Sequence, residues 1–147
     1  MNKFILSALS FAIVLAVSGC KPETPAEVQE DVSEARAEAN QDVRDAQIDA
    51  NQTAREANAD VADEMATGDG VNDARADAVE DTAQARYDVA MAKADGDLAV
   101  ARQSCDGASD TDRDACNAKA DAEFETAKAA ATTALDSAAA DAERMKR

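Results

Sequence analysis

Residues 31–52 read DVSEARAEANQDVRDAQIDANQ, an eleven-residue unit followed at once by a second copy. Asp31/Asp42, Val32/Val43, Ala35/Ala46, Ala39/Ala50, Asn40/Asn51 and Gln41/Gln52 are identical pairs. A weaker third copy keeps Ala57 and Val61 in register. Beyond Gly68 the period returns in Ala74/Ala85, Arg75/Arg86, Ala76/Tyr87/Leu98, Asp77/Asp88 and Ala78/Val89/Val100, and later in Phe124/Leu135. Eleven residues make three helical turns at about 3.67 residues per turn, close to the relaxed helix, so equivalent positions stay on one face. The repeat therefore predicts long helices that carry a continuous apolar stripe toward a neighbouring helix. Its small alanines permit a close approach.

Helix punctuation divides the chain into three segments. Thr24-Pro25-Ala26-Glu27 has capping-box form, with Thr24 as the cap, Pro25 in the first turn and Glu27 reaching back. The first helix is expected over 25–66. Thr67-Gly68-Asp69-Gly70 reads as a stop and turn, after which Asn72 or Asp73 can cap a second helix over 72–104. Gly96, inside Asp95-Gly96-Asp97, is expected to weaken that helix. A third helix follows Asp106-Gly107 and runs over 110–146. The expected fold is all-α: an alanine-rich helical hairpin or three-helix bundle occupying 26–147.

Composition fits thin helices better than a thick core. From Cys20 onward 35 of 128 residues are alanine, and only 16 are Val, Ile, Leu, Met, Phe or Tyr. Large apolar side chains supply about 1.5–3 kcal/mol each on burial, and this chain has few to bury. No stretch alternates β-branched and polar residues as a strand would. The same composition also suits a chain that stays largely unfolded until something orders it.

The charge balance excludes several functions. The full chain has 31 acidic and 15 basic residues, no histidine and no tryptophan, for a net charge of −16. Without histidine there is no imidazole base, no Ser-His or Cys-His pair and no His-ligated zinc. So negative a chain repels nucleic acid and anionic membrane surfaces. Carboxylate pairs can be drawn almost anywhere among 31 acidic residues, and acid-base work needs a desolvated cleft that this composition does not build. No catalysis is expected.

Cys105 and Cys116 flank Asp106 to Ala115, a segment read as a Gly, Ser, Thr and Asp loop. In an exported chain such a pair most simply forms a disulfide, clamping helices two and three into an antiparallel hairpin. Asp110, Asp112 and Asp114 occupy the first, third and fifth positions of an EF-hand-like loop. Ala115 replaces its glycine, Cys116 takes the seventh position and Asp121 stands at the twelfth. The segment is read as a solvated acidic turn, and no metal or other cofactor is expected apart from covalent lipid.

The first 19 residues differ from the rest. Lys3 is followed by an uncharged run from Phe4 to Val17, too short to span a bilayer and of the length of a secretory h-region. Val17-Ser18-Gly19-Cys20 resembles the lipobox of bacterial lipoproteins. That resemblance implies a signal peptide over 1–19, cleavage before Cys20, diacylglycerol and an N-acyl chain such as palmitate on Cys20, and a short linker over 20–25. Lys21 stands where an aspartate favours inner-membrane retention in enterobacteria, so the expected location is the periplasmic face of the outer membrane. The lipid of that membrane is the expected partner, through the acyl anchor.

Three further resemblances bear on role. Ala85 to Ala131, with its Tyr87-Asp88-Val89-Ala90 start and spaced cysteines, resembles a block of small alanine-rich exported proteobacterial proteins, which implies export and the hairpin but no catalytic residue. Eleven-residue repeats rich in Ala, Asp, Glu and Arg resemble late-embryogenesis-abundant desiccation proteins, which implies a stress protectant that gains helix on drying. The acylated, alanine-rich chain with a basic end also resembles major murein lipoproteins, which implies peptidoglycan attachment through Lys146. Here Lys146 is followed by Arg147 and the mature chain is about twice as long. The leading expectation is a lipid-anchored structural spacer of the envelope, with self-association through alanine stripes as a further expected contact.

Overall fold

The computed structural model describes residues 23–147, so the signal segment expected over 1–19 and Cys20 lie outside the described residues. Three helices account for almost all of the described chain: α1 (Pro25–Thr67), α2 (Val71–Asp106) and α3 (Asp110–Met145). At 1.5 Å per residue, α1 is about 65 Å long and the other two about 54 Å.

The helix ends follow local chemistry. At the start of α1 the Glu27 carboxylate accepts from the Thr24 N–H at 2.7 Å, and the Thr24 hydroxyl accepts from the Glu27 N–H at 3.4 Å. Pro25 loses nothing in the first turn, where its missing N–H would have no helical partner. At the other end Gly68 adopts φ 83° and donates its N–H to the Glu64 carbonyl. Gly70, at φ 65°, starts α2 without a side-chain cap, so neither Asn72 nor Asp73 takes the capping place expected of it. The chain reverses so tightly that α2 begins at Val71, before those side chains could serve.

The second reversal is shorter than the sequence suggests. Only Gly107 to Ser109 separates α2 from α3, and most of the expected loop from Asp106 to Ala115 is helical. Asp110, Asp112 and Asp114 therefore lie on the first turns of α3 instead of curling round a common centre. The Cys105–Cys116 disulfide joins the last turn of α2 to the second turn of α3, with the Cα atoms 5.7 Å apart.

α2 is the middle element. It packs along both α1 and α3, which make no close approach to one another. The reason lies in the spacing of its buried residues. Ala76, Ala94 and Cys105 share one face, since eighteen residues are about five turns. Ala85 and Gly96 lie about half a turn away, nine residues after Ala76 and two after Ala94. With two opposite faces buried, α2 separates its neighbours, and the helices form a single layer of three.

The α1–α2 seam is the eleven-residue repeat made three-dimensional. A Cβ placed on Gly96 would meet Ala39, and one placed on Gly107 would meet the Val28 methyls at 3.4 Å. Those contacts fix an antiparallel register that advances by eleven residues on each helix. It sets Ala50 opposite Ala85 and Val61 opposite Ala74. In between, valine stands opposite alanine: Val43 across from Ala92, and Val89 across from Ala46. Alternating large and small side chains fill the space between two closely spaced helices. The shielded apolar positions of α1 run Val28, Val32, Ala35, Ala39, Val43, Ala46, Ala50, Ala54, Ala57 and Val61, steps of three and four that sum to the repeat.

Gly96 therefore has a different role from the weak point expected of it. It sits buried in mid-helix because the Ala39 methyl, with the Ala39 Cα behind it, occupies the room a side chain would need. The core is correspondingly slight. Its buried apolar members are Val32, Cys105 and six alanines, among them Ala76 and Ala142, which are fully buried.

Candidate functional site

The layer has two dissimilar ends. The proximal end gathers Thr24 at the start of α1, the Gly107–Ser109 turn and the disulfide. A groove of about 580 Å³ opens there, lined by Pro25, Val28, Val32, Gly107 and Ala108, with Glu23 and Arg36 on its rim. Cys20 lies three residues before Glu23, so the chain linking it to the fold spans at most about 11 Å when extended. Any anchor at Cys20 enters the layer at this end.

The distal end gathers the Gly68–Gly70 turn and the end of α3. Lys146 lies just beyond α3, and its Nζ reaches across to α2, 2.9 Å from Asp77 Oδ1 and 3.3 Å from Glu80 Oε1. The two carboxylates hold its ammonium above the ordinary lysine range, Asp77 contributing most. Only a third of the Lys146 side chain remains exposed. Asp77 also faces an open acidic hollow of about 550 Å³ between α1 and α2, with Asp60, Asp63, Glu64, Asp73 and Asp81. Met65 and Met145, two of the exposed large apolar side chains, lie at this same end.

Between the ends, α2 and α3 meet over the few large side chains. Leu98 and Phe124 line one hollow of about 110 Å³, and Tyr87 and Leu135 line another of about 140 Å³. Each pair is offset from the other by eleven residues on both helices, so the same period governs this second seam. Arg102 on α2 donates to Asp121 on α3 at 2.8 Å.

The sequence-derived sites are distributed as follows. The structure unites Cys105 with Cys116 at the proximal end and sets Lys146 at the distal end, with the length of the layer between them. Asp110 pairs with Arg113 and Asp112 accepts from the Ser109 hydroxyl, while Asp121 is engaged by Arg102 two helical turns along. Among the described residues no group of three or more Cys, Asp or Glu is arranged to hold a metal ion. Asp77 and Glu80 were not singled out from sequence. They are an ordinary i, i+3 acidic pair until the antiparallel register brings Lys146 opposite them.

No protein-family model matches the chain, and no curated protein or solved structure matches it. No helix among the described residues is long and apolar enough to cross a membrane.

Proposed function

We propose that the protein is a lipid-anchored spacer of the bacterial envelope, held at the periplasmic face of the outer membrane through acylated Cys20 and performing no catalysis. One observation carries this reading. The lipobox cysteine joins the fold at one end of a three-helix layer about 55–65 Å long, and the Gly68–Gly70 turn and Lys146 lie at the other. Several acyl chains, at about 0.8 kcal/mol per buried methylene, would make such an anchor stable. A layer fixed at one end and covalently clamped beside that end is suited to holding its far tip at a set height.

The test joins fractionation to a distance. The full-length protein should partition with outer membranes and take up labelled palmitate, and Cys20→Ala should move it to the soluble periplasm. A probe at residue 69 of the anchored protein should lie about 50 Å or more from the bilayer. A probe lying close to the bilayer would remove the spacer reading even if the anchor held.

Two other readings differ in what they require. A stress protectant would be unfolded in dilute buffer and gain helix on drying, whereas the capping box of α1 and the repeat-matched seams favour a chain that is ordered in water. A peptidoglycan tether would need Lys146 Nζ free for acylation, and here Asp77 and Glu80 engage it. Boiled sacculi free of bound protein, from wild type and Lys146→Ala alike, would dispose of the tether.

A further inference from the structure

Besides the Arg102–Asp121 pair close to the disulfide, α3 is fastened to α2 at its two ends by links that differ in kind. At the proximal end the Cys105–Cys116 bond is covalent. At the distal end the fastening is ionic, with one amine shared between Asp77 and Glu80. The seam between them rests on small buried side chains, Ala76, Ala94, Ala120 and Ala142, and is interrupted by the Leu98–Phe124 and Tyr87–Leu135 hollows. α1 makes no close approach to α3 and lends it no support.

The surroundings make the distal fastening sensitive to charge. Asp77 belongs to both the ion pair and the acidic hollow, so negative charge is in excess around the one amine. Remove that amine and Asp77 and Glu80 lose their cation from α3. Exposed ion pairs are also screened as salt rises and the Debye length falls below about 10 Å.

We propose that Lys146 is an ionic latch, and that releasing it lets the distal half of α3 swing away from α2 about the Cys105–Cys116 end, uncovering Tyr87 and Leu135. The device goes beyond the spacer reading and does not depend on the lipid anchor. It makes the far half of the layer compliant while the half beside the disulfide stays fixed.

Tyr87 reports on this directly, because the chain has one tyrosine and no tryptophan. It lies on the latch side of the seam, ten residues from Asp77 and eighteen from Cys105. Acrylamide quenching of tyrosine emission is measured on the detergent-solubilised full-length protein, with helicity followed in parallel. Lys146→Gln should raise the quenching constant about two- to fivefold at unchanged helicity, the range expected for loss of one exposed ion pair. The exchange of Asp77→Lys with Lys146→Glu should return it toward wild type. Lys119→Gln, which breaks only a pair with Glu123 inside α3, should leave it unchanged. Should Lys146→Gln unfold, wild type in about 1 M salt gives the same reading, since the pair is then screened. Quenching that stays at the wild-type value in both Lys146→Gln and high salt, or that rises equally in Lys119→Gln, overturns the latch.

Discussion

Ala39 of α1 and Gly96 of α2 meet almost backbone to backbone: a Cβ on residue 96 would stand 2.5 Å from the Ala39 Cβ and 3.3 Å from its Cα. The obstructing atoms belong to the α1 main chain and its first side-chain carbon, which have no rotamer to escape into. The separation of α1 and α2 is thus set at this crossing, and every valine–alanine pair along the seam is packed to match it.

Gly96→Ala should therefore destabilise the fold despite improving helix propensity. The propensity gain is about 1 kcal/mol. Overpacking a close contact costs about 1–3 kcal/mol, and here the whole of α1 must shift to relieve it. A net loss of up to about 2 kcal/mol is expected in a denaturant titration. Gly107→Ala is the control, because its backbone is ordinary at φ −77° and the nearest Val28 methyls are 3.4 Å away. It should be neutral within about 0.5 kcal/mol. Exchanging the pair, Ala39→Gly with Gly96→Ala, should recover most of the loss.

Reduction of the disulfide should lower stability without dissolving the helices. The bond closes a short loop, and the chain-entropy account gives about 3 kcal/mol for a loop of this size. For a chain of this length that corresponds to a fall in Tm of about 10 °C. Cys105 is 1% exposed. Cys105→Ser should consequently cost more than Cys116→Ser, because it leaves a hydroxyl in one of the most enclosed sites of α2. Thermal melts of the oxidised, reduced and singly substituted proteins check both statements.

The eleven-residue repeat was enough to place α1, because its copies put Val32/Val43, Ala35/Ala46 and Ala39/Ala50 on one stripe and leave Asn40/Asn51 and Gln41/Gln52 outward. Thr24 and Gly68 marked its ends through their own chemistry, and the cysteine spacing foretold the hairpin of α2 and α3. What escaped was the two-sidedness of α2. Two stripes of the same period lie half a turn apart on it, so that apolar residues occur on opposite faces and no single face stands out. The packing role of Gly96 is hidden for the same reason. Its value is a property of Ala39, 57 residues away, and appears only once the register of the two helices is known. Lys146 was noticed for its chemistry, but its partners on α2 depend on that long-range register as well.

The first turn of α1 should loosen in acid. The Thr24 backbone N–H, and then its hydroxyl, hold the Glu27 carboxyl below the ordinary value of 4.5. A depressed folded pKa contributes stability that is present above the unfolded value and is lost as pH falls through the folded one. Amide exchange at Glu27 to Asp31 should therefore be independent of pH-driven fraying above 4.5 and accelerate beyond its intrinsic pH dependence below that value. Thr24→Ala should give the accelerated behaviour at neutral pH. An amide profile that keeps its protection well below the folded pKa would show that the box does not hold the helix start.

Strain or loss at α1 should not be felt at α3 if α2 truly stands between them. Val32 lies on the α1 stripe and Phe124 lines the α2–α3 seam with Leu98, within about two helical turns of one another along the layer. Val32→Ala and Phe124→Ala should each destabilise, the first by about 1 kcal/mol and the second by somewhat more because it removes a ring from a half-buried site. Residues that share no contact add, so the double variant should equal the sum to within about 0.5 kcal/mol. In a closed bundle, with α1 and α3 packed together over a common core, the second truncation would fall into space already relaxed by the first. Coupling well above that margin would then appear in the cycle. Denaturant titration of the four proteins thus separates a layer from a closed bundle by energy alone, and additivity is the outcome that two opposite faces on α2 require.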